Sequence, residues 1–275
     1  MRHRTLVAAV VSFGESLRTL SSGIVVVTLL GVVLCGCGSP EPLSIEGMVF
    51  IPAGSFIMGN DDGDPDEIPA HKVRLHSYYI AEHEVTNEQY GTFVKATGYR
   101  PPKGWEHPGF SDPKAPVAGV SWIDAVKYCQ WLAQETERPY RLPTEAEWEK
   151  AARGTREFVF PWGDFWDPSR CNWGSEPVGY MRHTVPVGSF ESGKSPYGVY
   201  DMAGNVWEWC WDWYDPGYYQ FSDKVSPQGA FTGTQKVARG GCWNDNSRYC
   251  RTTDRWPVEM TCRELYVGFR VCLSK

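Results

Sequence analysis

The chain has 275 residues, of which 22% are charged, and its formal net charge is −6 at pH 7. This acidic balance argues against nucleic acid as a partner, because nucleic acids select basic surfaces. Trp, Tyr and Phe make up 14% of the residues. That content can build a core around irregular backbone, because each aromatic ring buries a large area.

The N-terminal segment has the features of a secretory signal. Four basic residues precede an apolar run over residues 24–34, which is shorter than the roughly 20 residues that a spanning helix needs. Residues 1–36 are therefore interpreted as a signal peptide. Residues 34–37, LCGC, match a lipobox, in which cleavage after Gly36 leaves Cys37 as the lipidated N-terminus. The alternative is an ordinary cleaved signal with a coincidental cysteine.

These features predict a membrane-anchored, extracytoplasmic lipoprotein of the bacterial cell envelope, because a multiply acylated cysteine anchors firmly. Removal of residues 1–36 takes away three arginines and one glutamate, which leaves 24 basic and 32 acidic residues and a net charge of −8. Residues 37–47 form the lipidated cysteine and a polar tether with two prolines. Residues 48–275 form one domain, in which no internal repeat is visible.

Three helix starts follow from capping chemistry, in which a hydroxyl side chain is followed three residues later by Gln, Asp or Glu. The three starts are Thr86 with Gln89, Ser121 with Asp124, and Thr144 with Glu147. Gly98 and Gly154 end the first and third helices. Cys129 lies on the apolar stripe of the second helix and is predicted to face the core. Short strands and turns are predicted elsewhere.

The cysteine count is informative because it is odd once the N-terminus is processed. Of nine cysteines, Cys35 leaves with the signal peptide and Cys37 carries the lipid, so seven remain. An oxidising compartment pairs most cysteines. At least one is therefore free, bound to metal or joined to another chain.

Several long motifs carry a family resemblance. They are MVFIPAGSFIMG at 48–59, RLPTEAEWEKAARG at 141–154, YGVYDMAGNVWEW at 197–209, and the segment 237–270. Together they resemble the formylglycine-generating enzyme family, also called sulfatase-modifying factors, over all but the first forty or so residues. The resemblance implies an α+β fold, the family's variant of the C-type lectin-like fold, with little regular secondary structure. Function has to be argued from the site.

The resemblance implies a catalytic question at Cys250. Oxidising members of the family bind copper through two cysteines and convert a substrate cysteine to formylglycine. Cys250 matches the second of these cysteines, but Asp245 stands at the first, and its hard oxygen ligand suits Cu(I) poorly. Copper is therefore not expected, and Cys242 is the nearest substitute. The alternative for Cys250 is a structural disulfide or a buried thiol.

The resemblance also suggests a disulfide between Cys129 and Cys272. Cys272 lies one residue beyond the position expected for it. A shift of one residue in a strand turns the side chain to the other face.

Calcium is the cofactor that the resemblance implies. One family calcium site falls on the carboxylates of Asp201 and Glu208 and the backbone carbonyls of Gly204 and Val206. This all-oxygen set suits a hard cation. The alternative is an N-capped turn without metal.

Two further calcium candidates are weaker. At the family's other site, Asn172 and the Trp173 carbonyl match, but the downstream acidic ligand is replaced near Gly179. The acidic run over residues 61–67 is also a candidate, for which the alternative is a solvated loop.

The last segment departs from the family between its scaffold arginines. The predicted ligand-binding residues are Asp245, Asn246, Trp256, Val258, Met260, Glu264, Leu265 and Tyr266. Aromatic, methionine and charged groups on a rigid surface are typical of binding hot spots. This arrangement looks like the lipid-anchored variable proteins that retroelements diversify on the same fold.

Two functional interpretations follow. The favoured one is a lipid-anchored binding module whose C-terminal surface recognises a protein or glycan. The alternative is a sulfatase-modifying oxidase in which Cys250 is catalytic, or another enzyme of that family. Cys250 without a cysteine at position 245 separates the two.

Overall fold

A computed structural model describes residues 45–174 and 183–275. The predicted signal peptide, Cys37 and most of the tether lie outside the described residues, as does Gly179. Contacts group Pro42–Lys275 into one compact unit. Within the described ranges, no helix combines the length and apolar character that crossing a bilayer requires.

All three predicted helix starts are confirmed. The helices are α1 (Asn87–Thr97), α2 (Trp122–Thr136) and α3 (Glu145–Arg153). Each begins with a complete capping box, in which the Thr or Ser side chain accepts from the third helical amide and the third side chain accepts in return. This reciprocal pair satisfies two backbone donors that would otherwise lack partners. Gly98 caps α1 and Gly154 caps α3, as predicted.

The strands are short and form three sheets. They are β1 (Met48–Ile51), β2 (Gly54–Met58), β3 (His71–Leu75), β4 (Tyr78–Ala81), β5 (Tyr140–Arg141), β6 (Trp207–Trp213), β7 (Gln235–Arg239), β8 (Trp256–Glu259), β9 (Val267–Gly268) and β10 (Cys272–Ser274). Together with the three helices they confirm the predicted α+β class with little regular structure.

The sheet order makes the last strand, β10, a central strand. One antiparallel sheet has the order β1-β4-β10-β5, so β10 lies between β4 and β5. A second sheet has the order β8-β7-β6-β9, in which β9 runs parallel to β6. Strands β2 and β3 form a separate antiparallel pair. The C-terminal segment therefore contributes strands to two sheets, which fixes it at several points.

Helix α3 is buried along its whole length, and charged partners make this possible. It packs against β2, β3, β6 and β7. Glu145 makes two hydrogen bonds with Arg255, of 2.7 and 3.0 Å, and Glu149 pairs with Arg239. A buried charge is tolerated when it is paired and hydrogen-bonded. Arginines of the C-terminal segment thus anchor that segment to α3.

The suggested disulfide between Cys129 and Cys272 is wrong. Cys129 packs in the core cluster that contains Val271, whereas Cys272 packs in a different cluster. The Cys272 sulfur lies 3.9 Å from Glu147 Oε2, and both cysteines are free thiols. The reason is the one-residue shift, because neighbouring residues of a strand point to opposite faces. Cys129 itself is buried, as predicted.

Candidate functional site

The predicted binding segment begins with a tight turn after β7. Gly240 and Gly241 adopt φ values of 99° and 75°. A Cβ on Gly241 would lie 2.7 Å from the Tyr249 carbonyl oxygen, so only glycine lets the following loop fold back so closely. The loop ends in a single helical turn over Ser247–Cys250, where the Asn246 side chain accepts from the Arg248 amide. The loop is therefore short and rigid.

An aromatic cluster lies at the centre of the predicted binding surface of the C-terminal segment. Trp256 stacks on Trp207 with ring centroids 5.6 Å apart, and Tyr249 meets Trp256 edge-on at 5.7 Å. Trp207 is buried in the main core, whereas Trp256 is 37% exposed. The exposed ring thus stands on a fixed indole, which limits its motion.

Asp245 lies directly beside this cluster. Its Oδ2 accepts a hydrogen bond of 2.7 Å from Trp207 Nε1 and one of 3.1 Å from the Cys242 amide. Burial raises the pKa of the Asp245 carboxyl. Burial, followed by the nearby Asp245 charge, raises the pKa of the Cys242 thiol. Cys242 is therefore a neutral thiol and not a thiolate ligand.

Cys250 has an unpredicted neighbour. Its side chain is fully buried and packs with Cys171, Phe160 and Ala203. The hydrogen bond between the Cys171 and Cys250 thiols, together with burial, raises the pKa of Cys250 well above its usual range. The carboxylate at position 245 offers a hard oxygen ligand, which does not fit Cu(I), because Cu(I) prefers thiolates. In the sequence, the only sign of Cys171 was the odd cysteine count.

The remaining predicted ligand residues divide into exposed and buried positions. Asn246 is exposed, and four positions are half-buried: Met260, Glu264, Leu265 and Tyr266. Glu264 pairs with Lys103 at 3.0 Å, while Leu265 packs beside the buried Phe110 and Val206. The prediction for Val258 is corrected, because it is 5% exposed and belongs to the main core. Val258 therefore contributes to the core and not to the exposed surface.

The predicted calcium residues lie near a buried glutamate that the sequence reasoning missed. Glu84, Asp201 and Glu208 are all buried. Glu208 accepts hydrogen bonds from Arg270 at 2.6 and 2.7 Å and from Trp148 at 2.9 Å. Its carboxylate is therefore already neutralised.

Glu84 and Asp201 lack such a neutralising partner. Asp201 Oδ2 accepts from the Gly188 amide at 2.7 Å, and the Asp201 carboxyl lies within hydrogen-bonding reach of Glu84. Glu84 Oε2 is buried without a hydrogen-bond partner in the described part of the chain. Burial, then the Asp201 and Glu208 charges, raises the pKa of Glu84 well above its usual range. Two adjacent buried carboxyls fit either a shared proton or a hard cation.

The turn that holds Asp201 is shaped by Gly204. With φ at 77°, a Cβ on Gly204 would lie 2.1 Å from the Asn172 carbonyl oxygen. The Asn172 side-chain amide donates to the His183 carbonyl and to Asn205 Oδ1 at 3.0 and 3.2 Å. Trp173 follows, half-buried, with its indole nitrogen donating to the Pro168 carbonyl. Asn172 thus supports the turn over residues 201–208. This contact brings the two predicted calcium sites next to each other.

In the acidic run over residues 61–67, Asp61 and Asp62 are exposed to solvent, whereas Asp64 and Glu67 pair with an arginine. The Arg251 guanidinium contacts the carboxylates of Asp64, Glu67 and Asp254 at 2.8, 2.7 and 3.0 Å. Arg248 pairs with Asp64 as well. A guanidinium therefore occupies the position that a metal ion would take between these acids, and the run is tied to the C-terminal segment.

Comparison with known proteins agrees with this architecture. The serine/threonine-protein kinase pkn1 of Chlamydia caviae is 39% identical over 226 residues, which cover 74% of this chain and 34% of that protein. The chain thus spans about a third of the length of the chlamydial kinases that it matches. The formylglycine-generating enzyme of Thermomonospora curvata is 37% identical over 273 residues, which cover 77% of this chain and 87% of that enzyme.

A solved structure supplies the fold. The Treponema denticola variable protein 1 is 26% identical with a TM-score of 0.71, and the match covers 83% of this chain and 95% of that one. The predicted variant of the C-type lectin-like fold is therefore confirmed. Residues 37–275 match the sulfatase-modifying factor enzyme 1-like domain, and the chain accordingly belongs to the sulfatase-modifying factor family, which includes the formylglycine-generating enzymes.

Proposed function

We propose that this chain is a lipid-anchored, extracytoplasmic binding module whose C-terminal surface recognises a protein or a glycan. One observation carries the proposal: Asp245, fixed by Trp207 and the Cys242 amide, stands where the oxidising members of the family have a copper-binding cysteine. Cys250 beside it is a buried neutral thiol. A carboxylate with a single thiol is a poor ligand set for Cu(I), which prefers several thiolates.

The surface around Asp245 has the composition of a binding centre. Trp256 and Tyr249 present aromatic edges, and the exposed Asn246 adds amide donors and acceptors. Buried or half-buried aromatic anchors of this kind contribute most of the free energy in interfaces. Because Trp207 supports Trp256 from below, binding costs little side-chain ordering. The resemblance to a variable protein of Treponema denticola supports the same role.

The test compares two tryptophans of similar exposure. Trp256 is 37% exposed and Trp211 is 41% exposed, but only Trp256 lies in the proposed surface. Fluorescently labelled protein is applied to an array of defined glycans and immobilised proteins. Trp256→Ala is expected to weaken binding to the captured probe by tenfold or more, whereas Trp211→Ala leaves it within twofold. Equal losses in both variants, or binding unchanged in Trp256→Ala, contradict the proposal.

A second candidate, a sulfatase-modifying oxidase, is favoured by one observation. Cys171 places a second thiol in contact with Cys250. Purified protein with copper and oxygen is incubated with a cysteine-containing sulfatase peptide, and the aldehyde is measured by mass spectrometry. We expect no conversion by the wild type, and Asp245→Cys is the single change most able to restore copper binding. Conversion by the wild type that is lost in Cys171→Ser would establish the oxidase instead.

A further inference from the structure

A pocket of about 570 Å³ lies between the β2-β3 pair and the segment 219–225. Its lining residues from β2 and β3 are Ser55, His71, Lys72 and Arg74, and the opposite side includes Tyr219, Ser222, Lys224 and Val225. The pocket belongs neither to the C-terminal surface nor to the cation-site candidates described above.

The pocket collects positive charge in an acidic protein. Lys72 and Arg74 are two residues apart on β3 and both are exposed, so they share its outer face. Arg74 donates its amide to the Lys224 carbonyl and accepts from the Ser226 amide, both at 2.9 Å. These two backbone bonds fix Lys224 beside Arg74. Among the described residues, none of those that line the pocket is acidic.

Unlike the arginines of the C-terminal segment, these cations are not paired with carboxylates in the part of the chain that the structure describes. Within residues 45–174 and 183–275, no salt bridge involves Lys72, Arg74 or Lys224. Asp223, next to Lys224 in the chain, is exposed and is not a lining residue. Three unpaired cations from two segments leave a site whose charge an anion would complement.

The His71 ring also lines the pocket and is held in place by its neighbours. Its Nδ1 lies 2.9 Å from the Pro69 carbonyl oxygen, which places the ring hydrogen on Nδ1. Its Nε2 is buried and has no hydrogen-bond partner among the described residues. Tyr219 holds the ring edge-on at 4.9 Å. Because Nε2 is enclosed, the His71 ring forms part of the pocket wall, and the exposed side chains of Lys72, Arg74 and Lys224 are the groups that meet a ligand.

Two exposed apolar side chains lie at the segment that lines one side of the pocket. Phe221 is 81% exposed and Val225 is 52% exposed, and they flank the lining residues Ser222 and Lys224. Cations beside exposed apolar side chains match an amphiphile whose head is anionic, because basic residues attract anionic lipids and apolar groups enter the interface.

We propose that this pocket binds the phosphate head group of an anionic phospholipid, with Phe221 and Val225 against the acyl region. Cations from two directions suit a phosphate, which offers several acceptor oxygens, better than a single carboxylate. This inference goes beyond the proposed function and does not depend on it.

The test uses residues 38–275. This fragment contains both four-stranded sheets, the β2-β3 pair and the three helices. Because it omits Cys37, it cannot carry the predicted lipid anchor. Binding is measured by co-sedimentation with phosphatidylcholine vesicles, with or without phosphatidylglycerol, and by titration with glycerol 1-phosphate and inorganic phosphate. We expect binding to phosphatidylglycerol vesicles only, and a loss of tenfold or more in Arg74→Gln with Lys224→Gln. The control, Lys95→Gln with Lys114→Gln, changes the net charge equally at exposed lysines outside the pocket and should bind within twofold of the wild type.

The remaining outcomes are decisive. Phe221→Ser is expected to weaken vesicle binding at least threefold. Saturable binding of glycerol 1-phosphate or inorganic phosphate without vesicle binding would mean that the ligand is a soluble phosphate, which overturns the phospholipid assignment. Equal losses in the pocket and control variants would show non-specific attraction and overturn the site, as would no binding in any arm. Melting curves confirm that each variant is folded.

Discussion

The side chain at position 245 is fixed by two hydrogen bonds from neighbouring residues. The Asp245 carboxylate accepts from the Trp207 indole and from the Cys242 amide, so it is held in place without a metal. Cys250 lies in the single helical turn and contacts Cys171. The thiol next to Cys250 is therefore that of Cys171, and position 245 carries a carboxylate.

We expect Cys171 and Cys250 to form a disulfide under oxidising conditions. Oxidised glutathione would take the two electrons and two protons of the thiols and become two molecules of reduced glutathione. A bond closing so long a loop contributes about 4 kcal/mol in the chain-entropy model, so reduction should lower the melting temperature. Differential alkylation with peptide mass spectrometry should find the cross-linked pair, and Cys129→Ser, the control, should retain it. Alkylated Cys171 and Cys250 in the oxidised protein would contradict this expectation.

A second residue-scale prediction concerns Asp254. Asp64, Glu67 and Asp254 share the guanidinium of Arg251, and burial raises the pKa of Asp254 to about 7. The unfolded value is about 3.9, so the folded state binds the extra proton between these values. This stabilising contribution is complete below pH ~4 and is lost as the pH rises through about 7.

Asp254→Asn removes that titration. Relative to the wild type, its free energy of unfolding should rise with pH by up to about 1.4 kcal/mol per pH unit between pH 5 and 7. Urea unfolding at several pH values measures this difference. Asp167→Asn is the control, because the Asp167 pKa is about 2 and its carboxyl stays ionised throughout this range. A difference between Asp254→Asn and the wild type that does not vary with pH would refute the assignment.

At the scale of elements, local chemistry was predictable and tertiary burial was not. All three helix starts followed from capping boxes, which are short-range interactions. The burial of every residue of α3 depends on arginines almost a hundred positions later, such as Arg239 with Glu149, which no periodicity reveals. The same limit applies to Val258 and to Cys272, because the face of a strand depends on its neighbours in the sheet. Glu84 lies far in sequence from Asp201, so a motif could not join them.

The turn over residues 201–208 carries the calcium prediction. Because Glu84 and Asp201 are buried and adjacent, Ca²⁺ should bind the folded state and stabilise it by about 2.7 kcal/mol at a hundredfold excess over its Kd. For a domain of this size that corresponds to roughly 5–10 °C in melting temperature. Chelator should reverse the shift, and Asp201→Ala should abolish most of it.

The control for calcium is Asp62→Asn, an exposed acid in the run over residues 61–67. It should keep the full calcium-dependent shift, since Arg251 already occupies the space between Asp64 and Glu67 of that run. Wild-type melting curves that coincide with and without chelator would contradict calcium binding, both at the turn over residues 201–208 and at the acidic run over residues 61–67.

At the scale of the whole molecule, ion pairs separate the scaffold from its surface. Five arginines of the C-terminal segment pair with carboxylates elsewhere in the fold: Arg239, Arg251, Arg255, Arg263 and Arg270. Between them lie the exposed or half-buried positions, including Asn246, Trp256 and Met260. A segment that is fixed at several buried points can change its surface residues without losing its backbone path. The fold therefore suits the proposed binding role.

The proposed role also requires that the whole chain be held at a membrane, which depends on Cys37. Expressed at full length in a bacterial host with labelled fatty acid, the wild type should become labelled and fractionate with membranes, because several acyl chains together give stable anchoring. Cys37→Ser should lose the label. The neighbouring variant Cys35→Ser should keep the label, since Cys35 is predicted to leave with the signal peptide. This control tests whether any cysteine in this stretch is sufficient for acylation. Label that persists in Cys37→Ser, or disappears equally in Cys35→Ser, would place the acylation elsewhere and leave the binding surface without its proposed anchor.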